Sequence, residues 1–179
     1  IIFLLICLSV ISYEWHMMSK KKTYRVFGFI FLLLSFYSIY RLRIDNDYLF
    51  ILLITIICVS TDIGGYVFGK IFKGPKLTIF SPNKTYAGMI GGYLLSIISI
   101  IIFNNFYFTK KIQINFFIFV ILISTTSQLG DILISYFKRL SKIKDTGKII
   151  PGHGGLLDRA DGMIFAFPFS YLILIIDIL

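Results

Sequence analysis

Between Lys84 and Lys110 the chain carries no Asp, Glu, Lys or Arg, and none occurs between Lys111 and Asp131. An α-helix needs about 20 consecutive apolar residues to cross a bilayer. Apolar runs of this kind recur along the chain in long blocks, not in the alternation of a membrane β-barrel. Composition agrees: 57% of residues are hydrophobic and 15% charged, against about 25% charged in a typical soluble domain. Disorder, coiled coils, collagen and disulfide scaffolds are excluded on the same grounds. The fold class read from the chain is all-α, a polytopic helical membrane protein with about six transmembrane helices. They are expected at about 1–13, 24–40, 48–69, 86–108, 114–137 and 162–179.

The net charge is +9. In a membrane protein such an excess marks loops that stay in the cytoplasm beside anionic lipid, and no nucleic acid partner is expected. Alternate connections must lie on opposite sides. One side then collects Lys20, Lys21, Lys22, Arg25, Lys70, Lys73, Lys76, Lys84, Lys138, Arg139, Lys142, Lys144, Lys148 and Arg159; the other keeps Arg41, Arg43, Lys110 and Lys111. This bias places the two long loops, 70–85 and 138–161, in the cytoplasm. Cys7 and Cys58 lie in apolar stretches without metal-ligand neighbours and read as small apolar fillers. The chain opens on Ile1 inside an apolar segment, so the expectation is an N-terminus truncated or unusually short. Residues 1–50 are read as N-terminal transmembrane segments and 51–179 as the catalytic region.

Acidic residues are few, so their positions inform. Glu14, Asp45 and Asp47 read as solvated loop residues, and Asp177 needs no special role. Asp62 and Asp131 fall inside apolar spans, where a carboxylate is expensive unless paired, wet or bound to metal. An ion pair with a lysine of another helix is the plain alternative, and an intramembrane polar role is assigned to Asp62. In a helix, Asp131, Ser135 and Lys138 share one face, although Ser135 can equally serve small-residue packing.

The segment from Lys144 through Asp145, Gly147, Pro151, Gly152, His153, Gly154 and Gly155 is too rich in glycine for regular helix. Its backbone N–H groups can approach an anion closely. It runs into Asp158, Arg159 and Asp161. Asp158 alone could be a helix cap. Together Asp131, Asp158 and Asp161 are hard oxygen ligands that suit one or two Mg²⁺ ions and leave room for substrate phosphates. Lys138, Arg139, Lys148 and Arg159 add phosphate-neutralising charge. A nucleoside triphosphate at the membrane surface is the natural ligand. In the other long loop, Ser81 and Thr85 flank Lys84, either as caps or as site residues. No Walker A pattern occurs.

The run Ser135-x-x-Lys138-Arg139-x4-Lys144-Asp145-x-Gly147-x3-Pro151-Gly152-His153-Gly154-Gly155-x2-Asp158-Arg159-x-Asp161 closely resembles the C-terminal signature of the phosphatidate cytidylyltransferases, or CDP-diacylglycerol synthases. Ser81-Pro82-Asn83-Lys84-Thr85-x-x-Gly88 resembles a second element of that family, and Asp62-x3-Tyr66-x2-Gly69-Lys70 fits the stretch before it. The resemblance covers about residues 55–165. It implies transfer of CMP from CTP to phosphatidate, giving CDP-diacylglycerol and pyrophosphate. It also implies Mg²⁺, membrane lipid as partner, a homodimer as one form of assembly, and a bacterial cytoplasmic (inner) membrane location with the site facing the cytoplasm.

Under this resemblance, Asp131, Lys138, Arg139, His153, Asp158 and Asp161 are the catalytic set, with Asp131, Asp158 and Asp161 on metal. Ser81, Lys84, Thr85, Ser135, Lys144, Asp145, Gly152, Gly154, Gly155 and Arg159 bind substrate and phosphate. Ala87 stands where the family usually has Glu, so any carboxylate role there must be met elsewhere. Two rivals are a CTP-dependent polyprenol or phytol kinase, which would release CDP, and a non-catalytic paralogue or transporter using Asp62 and Asp131 as an ion path.

Overall fold

A computed structural model describes residues 1–79, 81–107, 114–149, 152 and 154–176. Among them are helices α1 (Ile2–Met18), α2 (Lys22–Asp45), α3 (Tyr48–Phe72), α4 (Tyr86–Tyr107), α5 (Ile114–Leu140), the short α6 (Leu157–Ala160) and α7 (Met163–Ile175). Each of the six expected apolar segments forms a helix. Four, within α2, α3, α4 and α5, are long and apolar enough to cross a membrane; α1 and α7 are apolar but shorter. The chain is therefore a helical membrane protein. The connection at 109–113 and Asp177 lie outside the described residues.

The helices overrun their apolar limits by about a turn. Backbone hydrogen bonds continue past the last apolar residue, because Lys and Arg side chains can bury their stems and keep their charge outside. Thus α5 includes Lys138 and Arg139, and α2 includes Arg41, Arg43 and Asp45. Asp45 is paired rather than merely solvated, 2.9 Å from Arg41 one turn earlier. Glu14 is a larger correction. It is no loop residue: it sits in α1 and is 2% exposed.

Glycine sets the tightest packing. A Cβ on Gly64 would fall 2.4 Å from the Gly91 carbonyl oxygen, and one on Gly88 would fall 2.6 Å from that of Gly65. The backbones of α3 and α4 therefore touch, as small residues allow in membranes. Hydroxyls and an amide bind these helices to α5. The Thr61 and Ser124 hydroxyls lie 2.8 Å apart, those of Tyr93 and Thr125 2.9 Å apart. Gln128 reaches the Met89 carbonyl. One apolar cluster, including Leu53, Ile57, Cys58, Ile100, Phe119, Ile123 and Phe167, joins α3, α4, α5 and α7. A second, with Trp15, Leu32, Phe36, Ile134, Leu157 and Ile164, joins α1, α2, α5, α6 and α7. Both cysteines are free, with Cys58 fully buried in the first cluster and Cys7 packed against the second, as expected of apolar fillers.

Pro168 lies inside α7 and has no N–H to give the Ile164 carbonyl, one turn back. Ser35 of α2 supplies the missing donor: its hydroxyl lies 2.7 Å from that carbonyl, and both residues are buried. A helix defect in a water-poor interior is thus repaired from a neighbouring helix.

Candidate active site

The loop after α3 doubles back on itself. Lys73 adopts a positive φ of 51° and Gly74 one of 104°, which turn the chain. Lys76 and Thr85 then pair as an antiparallel bridge. Leu77 N–H donates to the Lys84 carbonyl at 2.7 Å, and Lys84 N–H to that of Ser81 at 3.0 Å. Thr85 caps α4, its hydroxyl accepting from Gly88 N–H at 3.1 Å. This small hairpin aims the Lys84 ammonium at the Asp131 carboxylate of α5, with which it forms an ion pair. The helical period that aligns Asp131 and Ser135 also brings the Ser135 hydroxyl to 3.4 Å from Asp131 Oδ1.

Lys138, a further turn along α5, lies 2.9 Å from Asp158 Oδ1. The other Asp158 oxygen accepts from Thr146 N–H at 2.8 Å and Gly155 N–H at 2.9 Å. Burial alone would raise the Asp158 pKa. The Gly155 N–H, the Lys138 ammonium and the Thr146 N–H outweigh it and hold this carboxyl below its ordinary value. Asp161, three residues on, behaves oppositely. It is 7% exposed, and its Oδ1 accepts from Gly162 N–H at 2.9 Å. Burial, reinforced by the charges of Asp131 and Asp62, raises its pKa well above the ordinary range despite Lys138 and Lys84 nearby. Two aspartates three residues apart are thus driven in opposite directions by their surroundings.

Lys84, Lys138 and the three aspartates line one cavity of about 430 Å³. Of the residues singled out from the sequence, Asp62, Ser81, Lys84, Thr85, Asp131, Lys138, Asp145, Asp158, Arg159 and Asp161 line it. Arg139, Ser135, Lys144, Gly152, Gly154 and Gly155 do not; Ser135 and Gly155 reach it through Asp131 and Asp158. His153 and Pro151 lie outside the described residues. Ala87 is not in the lining either, although its neighbour Gly88 is. The sequence reading gave no role to Thr61, Leu77, Met89 and Gln128, which also line the cavity. Gln128 precedes Asp131 by three residues, so helical spacing was a usable signal for it.

The donor set suits a hard cation: carboxylates from α3, α5 and the α6 region face one cavity, and Asp161 sits among like charges that a cation would offset. In this arrangement lysines already neutralise two of them, Lys84 at Asp131 and Lys138 at Asp158. Among the described residues no group of three or more His, Cys, Asp or Glu is spaced to hold a metal. A metal at Asp131 and Asp158 would therefore compete with two ammonium groups, which phosphate oxygens could draw away.

The family model described as "Cytidylyltransferase family" matches residues 1–177. The chain belongs to the cytidylyltransferase family. Similar curated proteins carry a more specific name. A phosphatidate cytidylyltransferase of Rickettsia typhi is 39% identical over 183 residues, covering 94% of this chain and 77% of the relative. One of Rickettsia bellii is 36% identical, covering 97% and 78%. One of Staphylococcus saprophyticus is 33% identical, covering 96% and 68%. The match of the cytidylyltransferase family reaches back through α1 and α2, well beyond the motifs around the cavity.

Proposed function

We propose that this protein is a phosphatidate cytidylyltransferase, transferring CMP from CTP to phosphatidate in phospholipid biosynthesis. The observation that carries the reading is one cavity in which Lys84 from the loop before α4, Asp131 and Lys138 from α5, and Asp158, Arg159 and Asp161 from α6 and the residue after it converge. The named relatives support it. A phosphatidate oxygen attacks the α-phosphorus of CTP, a new P–O bond forms, the α–β bridging bond breaks, and pyrophosphate leaves with its electron pair. The lipid phosphate is already anionic, so no side-chain nucleophile is needed. The protein's work is positioning and charge neutralisation.

Asp131, Asp158 and Asp161 would hold Mg²⁺, which when bound supplies charge neutralisation for the phosphates. Lys84 and Lys138 leave their carboxylate partners for phosphate oxygens as substrate binds. Arg139, Lys144 and Arg159 add cationic contacts, and Ser81, Thr85, Ser135 and Asp145 orient the polar parts of the substrates. His153, with Gly152, Gly154 and Gly155, is assigned to the departing pyrophosphate from its place in the motif. Asp62 keeps the membrane end of the cavity polar. The protein spans the inner membrane in six segments with the cavity toward the cytoplasm, where CTP is found, and assembles as a homodimer.

Membranes from a host depleted of its own synthase, expressing this chain, test the reading with labelled CTP, phosphatidate and Mg²⁺. Equal, Mg²⁺-dependent formation of CDP-diacylglycerol and pyrophosphate, abolished by Asp158→Ala, is expected. Release of CDP with a phosphorylated alcohol would make the protein a lipid kinase instead.

A further inference from the structure

We propose that Glu14 is a positioning residue that holds the active-site loop in shape from the far end of the chain. It is the only glutamate in the sequence. Among the described residues its carboxylate accepts hydrogen bonds from Thr146 Oγ1 at 3.2 Å, Leu156 N–H at 3.0 Å and Leu157 N–H at 2.7 Å. The last two are donors at the start of α6 that no helical carbonyl can satisfy. A carboxylate this deeply buried is tolerated only when so bonded.

The loop is built around it. A Cβ on Gly147 or on Gly155 would stand 2.6 Å from a Glu14 carboxylate oxygen. Two glycines of the signature therefore leave room for Glu14, whatever the rest of the loop does for phosphate. Thr146 links the two acids: its hydroxyl bonds to Glu14 and its N–H to Asp158. Residues 154–157 are held likewise, with Gly155 N–H on Asp158 and Leu156 and Leu157 N–H on Glu14. The end of α1 is itself fixed to α5. Ser141 Oγ donates to the Met18 carbonyl at 2.7 Å, and Trp15 meets Phe137 edge-on with ring centres 5.2 Å apart. Glu14 thus transmits the position of α1 and α5 to the backbone that presents Asp158 to the cavity.

The activity readout rests on the cytidylyltransferase reading; the loop readout does not. A loosened loop lowers the fraction of competent protein, and saturating substrate restores it. Glu14→Gln is therefore expected to raise KM for CTP about tenfold while kcat stays within about threefold, because Leu156 and Leu157 N–H use different carboxylate oxygens and the amide replaces one of these with a donor NH₂. Glu14→Asp should fall between this variant and wild type. Thr146→Val, which removes one donor and leaves the carboxylate in place, should raise KM by a few-fold and serves if Glu14→Gln does not fold. Hydrogen exchange on the purified full chain supplies the second measurement. Faster exchange confined to residues 144–157, with α3 and α4 unchanged, is expected. A loss of kcat at unchanged KM, or exchange that rises throughout the chain, would mean a general folding role and overturn the proposal; so would unchanged KM and exchange. If wild type makes no CDP-diacylglycerol but Glu14→Gln still loosens 144–157 alone, the loop role stands and the functional reading falls.

Discussion

Lys138 Nζ lies 2.9 Å from Asp158 Oδ1, so the last turn of α5 is tied to the first turn of α6 inside the wall of the cavity. Asp158 is held below its ordinary pKa, so its ionised form stabilises the fold. That contribution is complete above the unfolded value of about 3.9 and is lost as pH falls through the lower folded value. The difference in melting temperature between wild type and Asp158→Asn should be constant from pH 7 to about pH 4 and shrink below it. A gap that instead widened toward low pH would contradict this electrostatic account.

Asp161 carries the opposite sign. Its raised pKa means that ionisation is harder in the folded chain, so a destabilising contribution appears above about pH 3.9 and grows until the folded group ionises. Asp161→Asn is expected to melt higher than wild type at neutral pH and level with it near pH 3.9, while CDP-diacylglycerol synthesis falls by about 100-fold or more. Thermal melts in detergent across pH, paired with the membrane assay, check both halves.

The Ser35 hydroxyl stands in for the N–H that Pro168 lacks. Ser35→Ala should cost about 1–3 kcal/mol by leaving the buried Ile164 carbonyl unpaired. In a Pro168→Ala background the new N–H can reach that carbonyl, so the penalty should shrink. A double-mutant cycle on thermal stability measures the coupling, and strictly additive effects would count against it.

Gly64→Ala should separate α3 from α4, because its methyl would meet the Gly91 backbone and not a movable side chain. Overpacking of this kind costs about 1–3 kcal/mol. Since α4 begins just after Lys84, displacement should also weaken the contact with Asp131 and raise KM for CTP. Melting and kinetics of the purified variant test the two effects separately.

Part of the site was legible because it is local. Helical spacing places Asp131, Ser135 and Lys138 on one face of α5, and the structure keeps that line. Asp158 and Asp161 were legible as a pair, but not their opposite charge environments, which come from Lys138, Thr146 and Gly155 on one side and Asp131 and Asp62 on the other. Gly147 and Gly155 looked like room for phosphate, yet a Cβ on either would meet Glu14.

The sequence by itself determined the class of fold and the inventory of chemistry. Long uncharged apolar runs satisfy their backbone only as membrane helices, and a fixed string of acids, bases and glycines marks the family. Only the tertiary structure decided which carboxylate does what. A carboxylate's energy depends on the donors and charges within a few ångströms, and for Glu14 those donors lie 132 to 143 residues away. No local pattern encodes such a neighbour; the packing of α1 on α5 brings it there.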